Sequence, residues 1–218
     1  ENIITRADKT NNLYSQPKGQ YINDTIREIV KDYKKTTGSK TDSLNAGAKQ
    51  CAAKLGIEDR VEVIKEDQCY IQYKDHKVDL DNNPQGRLIN GAKQDLGRAS
   101  KFVLTKVIAN IKQKTGLNLW KNTQDMIQWF TNIPNKMEWV FIQLDIIAMY
   151  PSIKKASLTK AIQWAKTMTE ITDDEVETIL HARKSILFFQ GEQWDKVHNP
   201  DFDVSMGCYD GAEVAELL

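Results

Sequence analysis

The sequence contains no apolar run long enough to cross a bilayer, and its polar first residues, Glu1 to Thr5, do not resemble a signal peptide. We therefore expect an intracellular protein without a membrane partner. Cysteine is also scarce. Cys51, Cys69 and Cys208 are odd in number and widely scattered, which argues against a disulfide framework and against a zinc site. This pattern predicts free thiols in a reducing compartment.

A net charge is missing as well, because 30 basic residues balance 30 acidic ones. Nucleic-acid-binding proteins usually carry an excess of basic residues. The charges are nevertheless unevenly distributed: the stretch from Leu96 to Gln124 has basic but no acidic residues, and the stretch after Lys196 has the reverse. Such a chain could bind a phosphate backbone at one end and metal ions at the other, although two solvated faces of opposite sign would give the same pattern.

The chain is long enough, at 218 residues, for one large domain or two small ones. Its first residue is not Met, and its last residues, Glu213 to Leu218, lie within an expected helix. We therefore expect it to be part of a longer protein.

Apolar spacing predicts a mixed α/β (α+β) chain with a helix-rich N-terminal part packed on a small antiparallel sheet. Most elements are expected as helices, and Thr172 to Glu175 has the pattern of a capping box. Helices are predicted around residues 22–33, 44–55, 100–114, 158–165 and 172–180, and in a shorter segment after Thr123 with Met126, Ile127 and Phe130 buried. Strands are predicted at 61–64, 69–73 and 139–144, with a hairpin at 187–194.

The most informative segment runs from Phe141 to Ile153 and contains Asp145 at the end of the expected buried strand. A carboxylate in that position is costly unless it is paired, hydrogen-bonded or bound to a cation. Two-metal phosphoryl transfer uses such a carboxylate to hold Mg²⁺ against a triphosphate. An ordinary helix-capping or turn-capping Asp would give the same local pattern, so the segment alone leaves both interpretations open.

Neighbouring segments favour the first interpretation. Asp145 followed five residues later by Tyr150 resembles motif A of reverse transcriptases. Tyr73 to Lys77 and Gly86 to Ile89 resemble the fingers signature of the Penelope-like group, and Ala7 to Thr10 resembles its Ala-Asp-Lys-Gly element. Downstream, residues 187–192 and 204–208 resemble the hairpin and the Met-Gly-Ser of motif B. The order and spacing of these segments carry the resemblance.

The resemblance implies a right-hand polymerase fold, with the N-terminal extension and fingers in residues 1–138 and part of the palm in 139–218. It also implies deoxynucleoside triphosphates and an RNA or DNA template-primer as partners, and two Mg²⁺ ions in the complete enzyme. The roles that it implies are metal binding by Asp145 and the Ile146 carbonyl, nucleotide binding by Lys74, Lys77, Arg87, Tyr150 and Gly207, and template binding by Arg98, Lys101, Lys106 and Lys112.

The sequence departs from the family pattern in several places. Leu88 stands where the family has Pro, and the loop after Gly207 is more acidic than usual. The Tyr-x-Asp-Asp element of motif C is absent, so we expect that this chain alone does not polymerise. Two alternatives remain open. The segment from Asp145 to Ile153 also resembles the Tyr-Pro-Ser-Ile motif of DNA-templated family B polymerases, and a polymerase-derived module could bind nucleic acid without catalysis.

Overall fold

The computed structural model describes residues 1–75, 84–117, 120 and 122–218, which form a mixture of helices and small antiparallel sheets. The helices are α1 (Lys18–Ile29), α2 (Thr41–Lys54), α3 (Leu96–Thr115), α4 (Thr123–Asn132), α5 (Met149–Ser152), α6 (Lys155–Met168), α7 (Asp173–His181) and α8 (Gly211–Leu217). The strands are β1 (Asn2–Arg6), β2 (Leu13–Pro17), β3 (Tyr33–Lys35), β4 (Tyr70–Tyr73), β5 (Gly86–Ile89), β6 (Leu187–Phe189) and β7 (Glu192–Lys196). Short 3-10 helices lie at Glu58–Arg60 and Lys136–Glu138. None of the described helices is both long and apolar enough to span a membrane.

Two antiparallel hairpins, β1–β2 and β4–β5, form the first part of the fold. A parallel bridge between Ala7 and Tyr73 joins them, and the Thr5 hydroxyl donates to the Ile71 carbonyl oxygen at 3.0 Å. Helix α1 covers one face of β4–β5, where the Tyr73 hydroxyl donates to the buried Asp24 carboxylate at 2.9 Å. The opening hairpin is a finding that the sequence did not predict, because the first stretch was expected to be helical.

The largest core lies between α3, α6, α7 and α8. It is built from fully buried apolar side chains at helical spacing: Leu104, Leu158, Ile162, Ile179 and Val214. Helix α3 ends at Gly116, which adopts the left-handed conformation with φ of 65°, and α7 begins with the capping box at Thr172 and Glu175. The predicted helices are confirmed, although α3 begins at Leu96 and α6 at Lys155, earlier than the apolar spacing indicated.

The third sheet has the strand order β3-β7-β6. Gln190 and Gly191, with φ of 53° and 76°, form the tight turn between β6 and β7, which confirms the predicted hairpin. Strand β3 comes from residues before 138, whereas β6 and β7 come after it. Elements on both sides of residue 138 therefore share a sheet as well as a core. The predicted division into fingers (1–138) and palm (139–218) stays a prediction about function.

Three local predictions were wrong. Residues 61–64 form no strand, although Val61 and Ile64 are buried. Helix α4 exists, but its apolar residues Met126, Ile127 and Phe130 are exposed. The segment from Trp139 to Leu144 is neither a strand nor buried, and Val140 and Leu144 are 86% and 88% exposed. An apolar run becomes a buried strand only where other strands flank it. None of the strands in the described residues lies next to this segment.

Candidate nucleotide site

Arg87 lies on β5 and is held by a carboxylate from the N-terminal hairpin. Its Nε lies 3.0 Å from Asp8 Oδ1, and the Asp8 side chain is only 3% exposed. Asp8 is in turn fixed by its backbone N–H, which donates to the Tyr73 carbonyl oxygen at 2.9 Å. The Arg87 side chain is 32% exposed, so part of its guanidinium group faces solvent. This arrangement leaves a positioned cation at the surface.

Lys74 follows β4 directly, and its backbone N–H donates to the Gln85 carbonyl oxygen at 2.9 Å. In the hairpin, Gln72 lies opposite Arg87. Because side chains alternate along a strand, Lys74 lies on the same face of the hairpin as Gln72 and Arg87. Two of the predicted phosphate-binding cations therefore share one face. The third, Lys77, lies outside the described residues.

Tyr150 lies on the short helix α5 and packs against Gly211, the first residue of α8. A Cβ atom at Gly211 would lie 2.8 Å from Tyr150 Cε1 and 2.9 Å from Cys208 Sγ. In the structure, the space left by its missing side chain is taken by the Tyr150 ring.

Gly207 lies in the loop before α8 with φ of 101°, a conformation that favours glycine. A Cβ atom there would lie 2.6 Å from the carbonyl oxygen of Asn90, the residue after β5. The Asn90 N–H donates to the Met206 carbonyl oxygen at 2.9 Å, so the loop is bonded directly to the end of β5. The fingers-like hairpin and the motif-B-like loop are therefore in contact.

The charge of Arg87 also influences the ionisation of Tyr150. Burial raises the pKa of the Tyr150 hydroxyl, and the nearby Cys208 and Glu213 raise it further, whereas the positive charge of Arg87 acts in the opposite direction. Arg87 is thus close enough to Tyr150 for its charge to act on the ring hydroxyl. The loop from Gly207 to Gly211 thus contacts both the end of β5, through Asn90, and the ring of Tyr150.

Asp145 lies five residues before Tyr150 in an exposed, irregular segment, next to the exposed Ile146. The expectation of a carboxylate fixed at the end of a buried strand was wrong for this chain, since no described strand flanks it. The described residues contain no group of three or more His, Cys, Asp or Glu side chains placed to hold a metal ion. One carboxylate and one carbonyl suit a Mg²⁺ ion that is also held by water and substrate phosphates, but they do not form a two-metal site alone.

Two basic residues of α3 are paired with acidic residues of α8. Lys101 Nζ lies 3.2 Å from Glu213 Oε1, and Lys112 bonds the Glu216 carboxylate. At the start of α3, Arg98 Nη2 donates to the Tyr209 hydroxyl at 2.9 Å. The two stretches of opposite charge therefore meet along one helix pair. Lys106 is exposed and lies in no ion pair with the described residues.

A buried charge pair supports the loop from Gly207 to Gly211, and no sequence pattern predicts it. Arg183, just after α7, binds the Asp210 carboxylate, and both side chains are 0% exposed. The Ser100 hydroxyl on α3 also donates to Asp210. One acidic residue in this loop is thus neutralised inside the protein and does not face a nucleic acid. Pairing across 27 positions leaves no local spacing signal, so only the fold reveals it.

Comparison with known proteins gave no match, either to a family model, to a curated protein or to a solved structure.

Proposed function

We propose that this chain forms the fingers and part of the palm of a right-hand polymerase of the reverse-transcriptase type. In its complete form, such a protein would act as an RNA-directed DNA polymerase. The reaction would be attack of a primer 3′-hydroxyl on the α-phosphate of a deoxynucleoside triphosphate, with pyrophosphate as the leaving group.

The observation that carries the proposal is that the elements carrying Arg87, Tyr150 and Gly207 are linked by direct contacts. The family resemblance assigns each of them to the nucleotide site on separate sequence grounds. They lie on β5, on α5 and in the loop before α8, and the contacts of Asn90 with Met206 and of Gly211 with Tyr150 hold these elements together. A chance resemblance of short motifs would not require the elements that carry them to be in contact.

Each residue has a chemical role in this proposal. Arg87 and Lys74, on one face of the hairpin, would bind the triphosphate, with the guanidinium donating paired hydrogen bonds to phosphate oxygens. The Tyr150 ring would lie under the sugar and exclude a 2′-hydroxyl. Asp145, with the Ile146 carbonyl, would hold Mg²⁺, whose charge stabilises the negative charge that develops on the phosphate oxygens.

The exposed segment from Trp139 to Asp145 agrees with this proposal. Its residues are mostly apolar, with a composition typical of the central strand of a sheet, but the described chain provides no neighbouring strand. In the complete enzyme, strands that carry the second catalytic carboxylate would pair with it. Asp145 would then be fixed on a rigid element.

The decisive experiment replaces Asp145 by Asn in a complete protein that includes the second carboxylate element. Primer extension should fall by about a thousandfold, because neutral Asn binds Mg²⁺ weakly. Loss of one group that stabilises the transition state has an effect of this size in other enzymes. The melting temperature should stay nearly unchanged, because Asn has the same shape as Asp and leaves no cavity. Asp59→Asn is the matched control, since that carboxylate is 80% exposed and outside the site. Primer extension that persists in Asp145→Asn would contradict the proposal.

The sugar-contact role is tested separately with Tyr150→Ala and Tyr150→Phe. The alanine variant should incorporate ribonucleotides, whereas the phenylalanine variant keeps the ring and should still reject them. Equal discrimination in both variants would remove this role from Tyr150. The same assay, run on RNA and on DNA templates, separates a reverse transcriptase from a DNA-templated polymerase.

One observation favours a second candidate, a nucleic-acid-binding module without catalysis. The described residues supply a single exposed carboxylate at the predicted metal site and no cluster of ligands. Such a module would bind a template-primer, but the complete protein would not extend it in the presence of Mg²⁺.

A further inference from the structure

The strongest unexplained contact of the proposed site is the ion pair between Asp8 and Arg87. Asp8 lies 79 positions before its partner, on a different hairpin, and its side chain is almost fully buried. A buried carboxylate needs a partner, and here that partner is a cation that remains partly exposed. The pair therefore joins a buried anchor to a surface group.

The geometry of the pair leaves the outer edge of Arg87 available. Asp8 Oδ1 meets the Nε side of the guanidinium group at 3.0 Å. The two terminal Nη groups donate to no residue in the described part of the chain. An arginine held through Nε still has these two parallel donors, which match the oxygens of one phosphate group.

The hairpin that carries Asp8 is itself well fixed. The turn between β1 and β2 is tied to the residue after Lys74, because Asn12 Nδ2 donates to Asp75 Oδ2 at 2.8 Å and the Thr10 hydroxyl donates to the same oxygen. The Ala7 N–H also donates to the Asn12 carbonyl oxygen at 3.0 Å. Asp8 is therefore fixed relative to both Lys74 and Arg87.

We propose that Asp8 is a positioning residue of the nucleotide site, which holds Arg87 with its Nη edge toward the phosphates of a nucleoside triphosphate. This inference rests on the proposed function, since it concerns the same site. It gives the N-terminal hairpin a direct role in substrate binding. A side chain as flexible as arginine loses less conformational freedom on binding when a buried carboxylate already fixes it.

The test measures binding of inorganic tripolyphosphate, without template or primer, to the 218-residue chain and its variants by titration calorimetry. Asp8→Ala and Arg87→Ala should each weaken binding, Arg87→Ala by about tenfold or more, the equivalent of about 1.4 kcal/mol. Asp8→Asn keeps the size of the buried side chain and a polar oxygen beside Nε, so it should bind at least as tightly as the original chain. Glu170→Ala is the charge-matched control: this exposed residue lies in the connection between α6 and α7, beside the C-terminal half of α3.

The sign of the effect separates positioning from simple competition. If Asp8 only competes with phosphate for Arg87, removal of its charge should tighten binding in both Asp8→Ala and Asp8→Asn, and that result would overturn the inference. Absence of tripolyphosphate binding by the unaltered chain would overturn it too. The proposed polymerase activity is judged independently, because the Asp145→Asn experiment does not depend on this binding assay. Melting temperatures of each variant identify any loss through unfolding.

Discussion

Arg183 and Asp210 form an ion pair that is completely shielded from solvent, and it joins the end of α7 to the loop that carries Gly207 and Gly211. Ser100 on α3 gives the same carboxylate a hydrogen bond. The pair thus connects the helical core with the proposed nucleotide site. Its formation requires desolvation of both charges, so either partner alone would be strongly unfavourable in that position.

Replacement of Arg183 by Met should therefore lower the free energy of unfolding by about 3–5 kcal/mol, because Asp210 stays buried without its counter-ion. The double variant Arg183→Met with Asp210→Asn should recover most of that loss, since Asn can still accept from Ser100. Urea unfolding of the single and double variants measures both effects. A double variant as unstable as the single one would show that the charge pair is not the cause.

Gly207→Ala should destabilise the loop at the proposed site by about 2 kcal/mol or more, through left-handed backbone strain and through collision with the Asn90 carbonyl oxygen. Gly191→Ala separates the two causes. Gly191 also has a positive φ, of 76°, but a Cβ atom there would meet nothing within 4 Å. That variant should lose only about 1–2 kcal/mol in the same unfolding measurement. Equal losses would mean that the contact with Asn90 is unimportant.

The buried imidazole of His181 should make the folding stability of the protein sensitive to acid. Burial, together with the nearby positive charge of Lys184, lowers the pKa of its imidazole to about 4, although Glu177 acts in the opposite direction. The unfolded chain, with the ordinary His pKa near 6.5, binds the proton more readily between these two values. The contribution of the neutral imidazole to the free energy of unfolding is therefore complete above pH 6.5 and is lost as the pH falls toward 4. It amounts to on the order of 3 kcal/mol.

The variant His181→Gln isolates this effect, because Gln does not titrate. Between pH 6.5 and pH 4, the original chain should lose more unfolding free energy than the variant, measured by urea unfolding at each pH. The His181 ring lies directly against Gly47 of α2, where an added Cβ would be 2.4 Å from Nε2. Protonation should therefore loosen the packing of α2 on α7. Parallel pH curves for the two proteins would exclude His181 as the cause.

Pairing of α3 with α8 allows a test of the proposed template binding by α3. Glu216→Gln frees Lys112 from its ion pair, so affinity for a template-primer duplex should rise. The slope of log affinity against log salt should steepen by about 0.7–0.9, the value for one additional phosphate contact. Glu192→Gln is the matched control, because it removes the same charge but frees Lys35, which lies on strand β3 and not on α3. If both variants change binding equally, the effect is one of net charge alone.

The helices and the hairpin that were predicted correctly are specified by residues close together in the sequence. Helices α3 and α6 follow from apolar residues at helical spacing, α7 from the capping box at Thr172, and the β6–β7 hairpin from Gln190 and Gly191 in its turn. In each case, the backbone hydrogen bonds and the residues that specify them lie within a few positions of one another. Local sequence is sufficient for such elements.

The tertiary structure alone decided which distant groups meet. The apolar run from Trp139 to Leu144 has the composition of a buried strand, but burial depends on neighbouring strands that the described residues do not provide. The basic and acidic stretches looked separate in sequence, yet two ion pairs join α3 to α8. The carboxylate that holds Arg87 is Asp8, on another hairpin. Contacts of this kind depend on how the helices and hairpins pack, and no local pattern encodes that packing.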